Sequence, residues 1–208
     1  MEMRTFDLGA LHTNCYLVHD GKEAAVIDPG GDPAPVLKYL LDNGLTLTHI
    51  LNTHMHFDHI LGNAALSAGA GAPIFANAAD DFLLRPEMGG ARFGLPPTPS
   101  FDYENLEPGE LALAGERCTV LATPGHTPGS LSYYFPDSGL LFAGDALFYR
   151  SMGRTDLPGG DTETLYSSIK DTLFALPETT EVLPGHGIPT NIGDEKDKNP
   201  YVGKAARF

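Results

Sequence analysis

The sequence predicts a layered α/β domain in which helices cover β-sheets from outside. Nine short apolar or alternating runs have the pattern of strands, and four segments carry apolar residues at helical spacing. The two kinds of segment alternate irregularly along the chain, as expected for sheets covered by helices. A length of 208 residues suits one large domain, or at most two small ones, and we assign residues 1–208 to a single domain.

The predicted strands are short and are joined by tight turns. Their runs are TNCYLVHD, EAAVID, LTHILNT, APIFA, ELALA, CTVLAT, SLSYYF, GLLFAG and TEVLPG. The chain also has 24 glycines and 17 prolines, scattered as turn pairs, which favours many short elements.

The predicted helices have recognisable start and stop residues. The first has Asp32 as N-cap, Pro33 as its first residue and Gly44 just beyond its end. The second begins at about Asp58, with apolar residues at helical spacing to position 68.

The two remaining helices begin near Asn77 and after Asp161, and Pro177 ends the last one. Between them, residues 86–108 are rich in Gly and Pro and predict a long surface loop.

Charge and composition disfavour several classes of function. The net charge of −14 disfavours nucleic acid as a partner, and no apolar run approaches the ~20 residues of a membrane span. Cys15 and Cys118 lack C-x-x-C spacing and predict two free, half-buried thiols in a reducing compartment, with a single disulfide as the less favoured alternative. The N-terminus shows no apolar signal segment, so we expect a cytoplasmic protein.

The segment THMHFDH, residues 53–59, concentrates metal-ligand side chains between a strand and a helix. In extended chain His54 and His56 face the same side, whereas Asp58 and His59 follow the turn into the helix. Two adjacent metal ions suit this geometry better than one, and imidazole with carboxylate suits zinc, iron or manganese. A polar loop that happens to be rich in histidine is the alternative.

Three further residues could complete two such sites. His126 and His186 stand at two Pro-Gly-His corners, each after an apolar strand, and Asp145 directly follows the strand GLLFAG. Taken alone, Asp145 is better explained as a turn or N-cap aspartate, and only the combination of residues favours a metal site. Asp28 also has the pattern of a turn residue, although it could orient a metal ligand.

The combined pattern resembles the metallo-β-lactamase fold superfamily. It consists of H-x-H-x-D-H at 54–59, Gly-His at 125–126, Gly-Asp at 144–145 and Gly-His at 185–186. The resemblance implies a four-layer αββα sandwich with two divalent metal ions at one edge, zinc first and iron or manganese as alternatives. It assigns His54, His56 and His126 to one ion, Asp58, His59 and His186 to the other, and Asp145 to a bridge.

Within that superfamily, the stretches 53–63, 123–131 and 153–161 look like compact hydrolases related to glyoxalase II. The resemblance implies hydrolysis of a small-molecule thioester, S-lactoylglutathione or a related acyl-thiol, by a metal-bridging hydroxide that Asp58 aligns. Arg154 matches the basic residue that contacts the thioester, and Asp156 stands where the family has an aromatic residue. The chain ends 21 residues after Gly187, so we expect it to lack the C-terminal helical domain of full-length glyoxalase II.

Three alternatives remain at this point. The stretch 153–161 also looks like persulfide dioxygenases, which would hold a single iron, and a metal hydrolase of another ester or amide has the same ligands. A β-lactamase is disfavoured by the missing export signal and by Asp145, where a cysteine ligand is often found. A metal-binding protein without catalysis would show the same fold and no turnover.

Overall fold

A computed structural model describes residues 1–204 and residue 206, with the backbone alone at Arg92. The chain forms two compact units. The first comprises Met1–Leu106 and Ala112–Arg117, and the second comprises Glu107–Leu111 and the described part of Cys118–Phe208. A mixed six-stranded sheet is the framework of each unit.

The first sheet holds six strands in chain order. They are β1 (Glu2–Leu8), β2 (Thr13–His19), β3 (Glu23–Ile27), β4 (Thr46–Leu51), β5 (Ile74–Ala76) and β6 (Glu104–Asn105). Strands β1 to β3 pair antiparallel, and β3 to β6 pair parallel. Buried apolar residues of β2, β3 and β4 pack against the first helices in one core, which includes Leu17, Val26, Val36, Leu40, Ile50 and Leu66.

Helix α1 spans Ala34–Asp42 and turns Val36 and Leu40 towards this core. Gly44 follows the helix at φ 65°, a backbone conformation that glycine adopts without steric cost, as predicted. The predicted N-cap is wrong by one residue, because Pro33 occupies that position. The Asp32 carboxylate instead accepts a hydrogen bond from the Ala34 amide (3.0 Å), which forms a local turn ahead of the helix.

The predicted second helix is two short helices, α2 (Phe57–Ile60) and α3 (Asn63–Ala70). The interruption lies at Gly62, whose amide donates to the Pro29 carbonyl at 2.7 Å. A Cβ at position 62 would lie 2.3 Å from the Gly31 carbonyl oxygen, so only glycine allows this approach.

The predicted third helix is a 3₁₀ helix, Ala78–Leu84, capped by the Asn77 side chain. Shorter 3₁₀ turns follow at Pro86–Met88 and Gly90–Phe93. The predicted long loop is therefore irregular from residue 94 to residue 103 and structured on either side.

The strands of the second sheet are β7 (Gly109–Leu113), β8 (Glu116–Ala122), β9 (Leu131–Phe135), β10 (Leu140–Gly144), β13 (Glu181–Pro184) and β14 (Thr190–Asn191). Their order in the sheet is β14-β13-β10-β9-β8-β7. Strands β11 (Leu147–Phe148) and β12 (Ser151–Met152) form a separate hairpin. Because β10 and β13 are parallel, their carboxyl ends lie at the same edge of the sheet.

Two helical segments accompany this sheet. Helix α4 (Thr162–Ser167) follows Asp161, as predicted, and the Asp161 carboxylate caps it by accepting a hydrogen bond from the Thr164 amide. It continues through a π turn, Ser168–Thr172, and a 3₁₀ turn, Leu173–Ala175, before helix α5 (Ile192–Lys198) closes the described fold. The core of the unit includes Leu141, Leu147, Leu165, Ile169, Leu173, Val182 and Ile192.

The described helices are all too short or too polar to cross a lipid bilayer.

Candidate metal centre

Four predicted ligands of the first unit lie together where β4 runs into α2. The rings of His54 and His56 are perpendicular, with centroids 4.8 Å apart, and those of His54 and His59 are 4.1 Å apart. Nε2 of His59 lies 3.8 Å from Oδ2 of Asp58. Candidate ligand atoms of His54 lie within 4.8 Å of those of His56 and His59. The predicted convergence of His54 and His56 is therefore present.

A buried aspartate, Asp28, organises these histidines. Its Oδ2 accepts from Nδ1 of His59 at 2.9 Å and from the Thr53 hydroxyl at 2.6 Å, while Oδ1 accepts from the Thr53 amide at 2.7 Å. Since the Thr53 hydroxyl donates to Asp28, it can accept from Nδ1 of His54, which lies 3.1 Å away. The sequence allowed Asp28 to be a turn residue or to orient a metal ligand. Its contacts support the orientation of a ligand.

These hydrogen bonds decide which ring nitrogen carries the proton. When Nδ1 of a neutral imidazole donates, the lone pair stays on Nε2, the usual state of a metal-bound histidine. His54 and His59 are both held in this tautomer through Asp28. Asp28 itself has φ 52°, which is uncommon for a non-glycine residue and is a sign of local backbone strain at a functional site.

The backbone of Asp58 is fixed by two neighbours. The Thr13 hydroxyl donates to its carbonyl at 2.8 Å, and a Cβ on Gly30 would lie 1.9 Å from the same oxygen. Glycine at position 30 is therefore required for the path of the chain at Asp58.

Sequence reasoning missed Asp80, which is fully buried and accepts from the Met55 amide at 3.1 Å. Met55 lies between the two histidines of the H-x-H segment, so Asp80 supports that segment. Its signal in the sequence was weak, since AADD has the pattern of an exposed first turn.

The three predicted ligands of the second unit also lie together. Oδ2 of Asp145 is 3.7 Å from Nε2 of His126 and 3.7 Å from Nε2 of His186. Asp145 and His186 follow β10 and β13, the parallel pair whose ends share one edge of the sheet. Nδ1 of His126 donates to the carbonyl of Arg154 at 2.7 Å, which again leaves the lone pair on Nε2.

Glycine is required beside this second group as well. A Cβ on Gly153 would lie 1.9 Å from the carbonyl oxygen of Asp145 and 3.3 Å from Cβ of His126. The amide of Gly153 donates to the Ala146 carbonyl at 3.1 Å. The backbone of the 153–154 segment thus supports both His126 and Asp145.

Arg154 engages a neighbouring carboxylate. Its Nε donates to Oδ1 of Asp156 and its Nη2 donates to Oδ2, each at 2.7 Å. Both side chains are exposed. The Arg154 guanidinium lowers the pKa of Asp156 to about 2, because it donates hydrogen bonds to the charged form. The predicted contact of Arg154 with substrate stays a prediction.

The donor set of each of the two groups fits a metal site. It consists of imidazole nitrogens and carboxylate oxygens, which bind zinc, iron and manganese. Cys15 and Cys118 are fully buried rather than half-buried as predicted, and both lie outside the candidate groups. His12, His19 and His49 also lie outside them, as expected. Which ion each ligand binds stays a prediction.

A family model described as the metallo-beta-lactamase superfamily matches residues 8–186, a span that includes all seven predicted ligands. Among curated proteins, "Probable metallo-hydrolase YqgX" of Bacillus subtilis is 36% identical over 97% of this chain and 98% of its own length. "Hydroxyacylglutathione hydrolase GloC" of Haemophilus influenzae is 38% identical over 97% and 98%.

Two solved structures are similar to the chain over almost all of its length. The BLEG-1 B3 metallo-beta-lactamase superposes with a TM-score of 0.90 at 39% identity, over 97% of this chain and 99% of the other. The di-iron-bound form of TTHA1623 has a TM-score of 0.86 at 39% identity, over 95% and 99%.

Proposed function

The chain belongs to the metallo-beta-lactamase superfamily, and from this membership we propose that it is a metal-dependent hydrolase of thioesters. Membership and the matching structures confirm the predicted family and α/β fold class. The proposed substrate is a small acyl-thiol, with S-lactoylglutathione as the reference compound because of the name of the Haemophilus influenzae relative.

The observation that carries the proposal is the orientation of the histidines. Nδ1 of His59 is hydrogen-bonded to Asp28, and Nδ1 of His54 is hydrogen-bonded to the Thr53 hydroxyl that Asp28 holds. Nδ1 of His126 is hydrogen-bonded to the Arg154 carbonyl. Partners of this kind orient metal-ligating histidines and raise their basicity, and a merely histidine-rich loop does not need them.

We propose that seven residues hold two divalent ions. His54, His56 and His126 would bind one, Asp58, His59 and His186 the other, and Asp145 would bridge, as the resemblance implies. Zinc is the first candidate, with iron or manganese as alternatives, and a related protein has been solved with two irons. Bound ions of this type would lower the pKa of a water molecule and polarise the thioester carbonyl.

The protein side chains would position the attacking water. Asp58 would accept a hydrogen bond from the attacking water and align it, since its backbone is fixed by Thr13 and Gly30. A thiolate leaves without a strong general acid, so the absence of a separate acid among the predicted site residues is consistent with this substrate class.

Two other reactions are alternatives. Hydrolysis of another ester or amide, including a β-lactam, is favoured by the likeness to BLEG-1, and this reopens a class that the sequence disfavours. A persulfide dioxygenase with a single iron is the second, because the stretch 153–161 resembles those enzymes.

The test is metal analysis of protein purified without chelator, beside a substrate panel. We expect two metal equivalents per chain and turnover of S-lactoylglutathione or a simpler thioester. One iron equivalent with oxygen uptake on a persulfide would replace the hydrolase with the dioxygenase. Hydrolysis of a β-lactam with no thioester turnover would identify the amide hydrolase, and no turnover at all would reject catalysis.

A cytoplasmic location, a single domain and a small-molecule substrate without nucleic-acid or membrane partners remain part of this proposal. The oligomeric state is not specified by it.

A further inference from the structure

An open cleft lies beside two of the predicted ligands, Asp145 and His186. Its volume is about 610 Å³, within the range of small-molecule sites. The lining is mainly apolar and comes from the β11–β12 hairpin and the segment after β13, with Phe148, Tyr149, Met152 and Ile188 among its residues.

Two of these apolar side chains are unusually exposed. Tyr149 is 49% exposed and Ile188 is 61% exposed, although both are large and hydrophobic. An apolar ligand group placed between them would remove their surface from water, which is favourable in proportion to the apolar area buried.

The arginine of the cleft is already bound by a carboxylate of the protein. Arg154 is the cation among its lining residues, and Asp156 binds its guanidinium through two hydrogen bonds of 2.7 Å. A substrate carboxylate would have to compete with Asp156 for the Arg154 guanidinium.

We propose that this cleft binds an apolar, uncharged group of the substrate, and that Asp156 determines this selectivity by holding Arg154. The inference rests on the proposed thioester hydrolysis and narrows its substrate class to thioesters with no carboxylate next to the cleft. The group could belong to the acyl half or to the thiol half, since either has the same apolar chemistry.

Binding tests the inference without turnover. Isothermal titration calorimetry on the protein as purified would compare two inert thioethers, uncharged S-hexyl-N-acetylcysteamine and anionic S-hexylglutathione. We expect the uncharged compound to bind at least about fivefold more tightly, with a negative heat-capacity change from apolar burial. Equal or tighter binding of S-hexylglutathione would overturn the inference.

Asp156→Asn should release Arg154. We expect S-hexylglutathione to bind about three- to tenfold more tightly to this variant, a modest change because exposed ion pairs are weak. The gain should disappear in Asp156→Asn/Arg154→Ala. Asp197→Asn is the matched control, because Asp197 is an exposed partner of Lys204 outside the lining of the cleft. The same gain in the control would mean that net charge alone is responsible, and the role of Asp156 would be wrong.

Kinetics distinguish the two halves of the substrate. One series lengthens the acyl chain from acetyl to hexanoyl on N-acetylcysteamine, and the other lengthens the thiol with acetyl fixed. KM should fall by up to about fourfold per methylene in one series. Ile188→Ala and Tyr149→Ala should each reduce that gain, and no gain in either series would refute an apolar site.

The two proposals fail separately. Thioether binding as described, with no thioester turned over, would reject thioester hydrolysis and leave the ligand class of the cleft in place. Thioester turnover without any preference for apolar, uncharged groups would do the reverse.

Discussion

Glu195, fully buried on α5, accepts a hydrogen bond from Nη1 of Arg150 at 2.5 Å and so fixes the turn of the β11–β12 hairpin. The Arg150 amide also donates to this carboxylate at 3.0 Å, and Thr190 and Asn199 donate to it at 2.6 and 2.8 Å. Arg150 is at φ 55°, and its guanidinium lies 4.7 Å from the centroid of the Tyr149 ring. The Glu195 carboxylate thereby fixes a strained turn that contains Tyr149, one of the lining residues of the cleft.

Glu195→Ala should destabilise the protein strongly. Four donors lose their acceptor, and breaking a buried ion pair by removing one partner costs about 3 kcal/mol or more. Urea unfolding monitored by circular dichroism would measure the change, with Glu195→Gln expected to lose less because it keeps one acceptor oxygen. A loss below about 0.5 kcal/mol in Glu195→Ala would show that the network contributes little.

Asp28→Asn should weaken metal binding by about 10- to 100-fold, as expected when a partner of a ligating histidine is changed. Asparagine tolerates the positive φ at this position, so the backbone can remain as it is. Competition with a chelator would give the affinity. Asp32→Asn, an exposed change near α1, is the control, and equal affinities for the two variants would argue against the role of Asp28.

Gly153→Ala should disrupt the Asp145 group, because the new Cβ would lie 1.9 Å from the Asp145 carbonyl oxygen. We expect loss of bound metal and of activity in a protein that still folds. Gly109→Ala is a suitable control, since a Cβ there meets nothing within 4 Å. Elemental analysis of both variants decides the matter, and full metal content in Gly153→Ala would contradict the geometry.

Asp145→Ala should remove bound metal, since the proposed bridge serves both ions. Elemental analysis should find less than one equivalent per chain. A variant that retains two equivalents and near-normal rates would exclude Asp145 as the bridge.

The two thiols should resist modification in the folded protein. Burial, with a smaller contribution from Asp28, raises the pKa of Cys15 well above its ordinary value, and burial raises that of Cys118 to about 12. Both are therefore protonated at pH 8 and inaccessible. A chromogenic disulfide reagent should react only after urea unfolding, and rapid reaction in native buffer would show that either thiol is exposed.

The raised pKa of Cys118 also makes the free energy of unfolding depend on pH. Because the folded pKa of Cys118 exceeds the unfolded one, its contribution to stability is complete below about pH 9 and is lost as pH rises towards 12. Cys118→Ala should flatten this alkaline part of the stability profile, as measured by unfolding at several pH values.

The ligand positions could be predicted from the sequence because strands end there. His126, Asp145 and His186 each follow an apolar run, and residue type together with order along the chain predicts their grouping. Asp28 and Asp80 could not be assigned in this way, because each acts across 25 residues or more of sequence. Their local patterns are those of ordinary turn or surface aspartates.

The strands and the helix break that the sequence did not predict have a similar explanation. Strands β6, β11, β12 and β14 have two residues each, too few for a periodic pattern, and β1 is mostly exposed with weak alternation. The break between α2 and α3 depends on the approach of Gly62 to Pro29 and Gly31, a tertiary contact that helical spacing cannot report.

The brevity of α2 has a consequence for maturation in the cell. A four-residue helix is not stable by itself, so the positions of Asp58 and His59 depend on tertiary contacts with Thr13, Asp28 and Gly30. We therefore expect folding to precede metal loading, in contrast to zinc fingers, which fold only with metal. Newly made apoprotein should then persist as a folded species whose final metal depends on which ion the cell supplies.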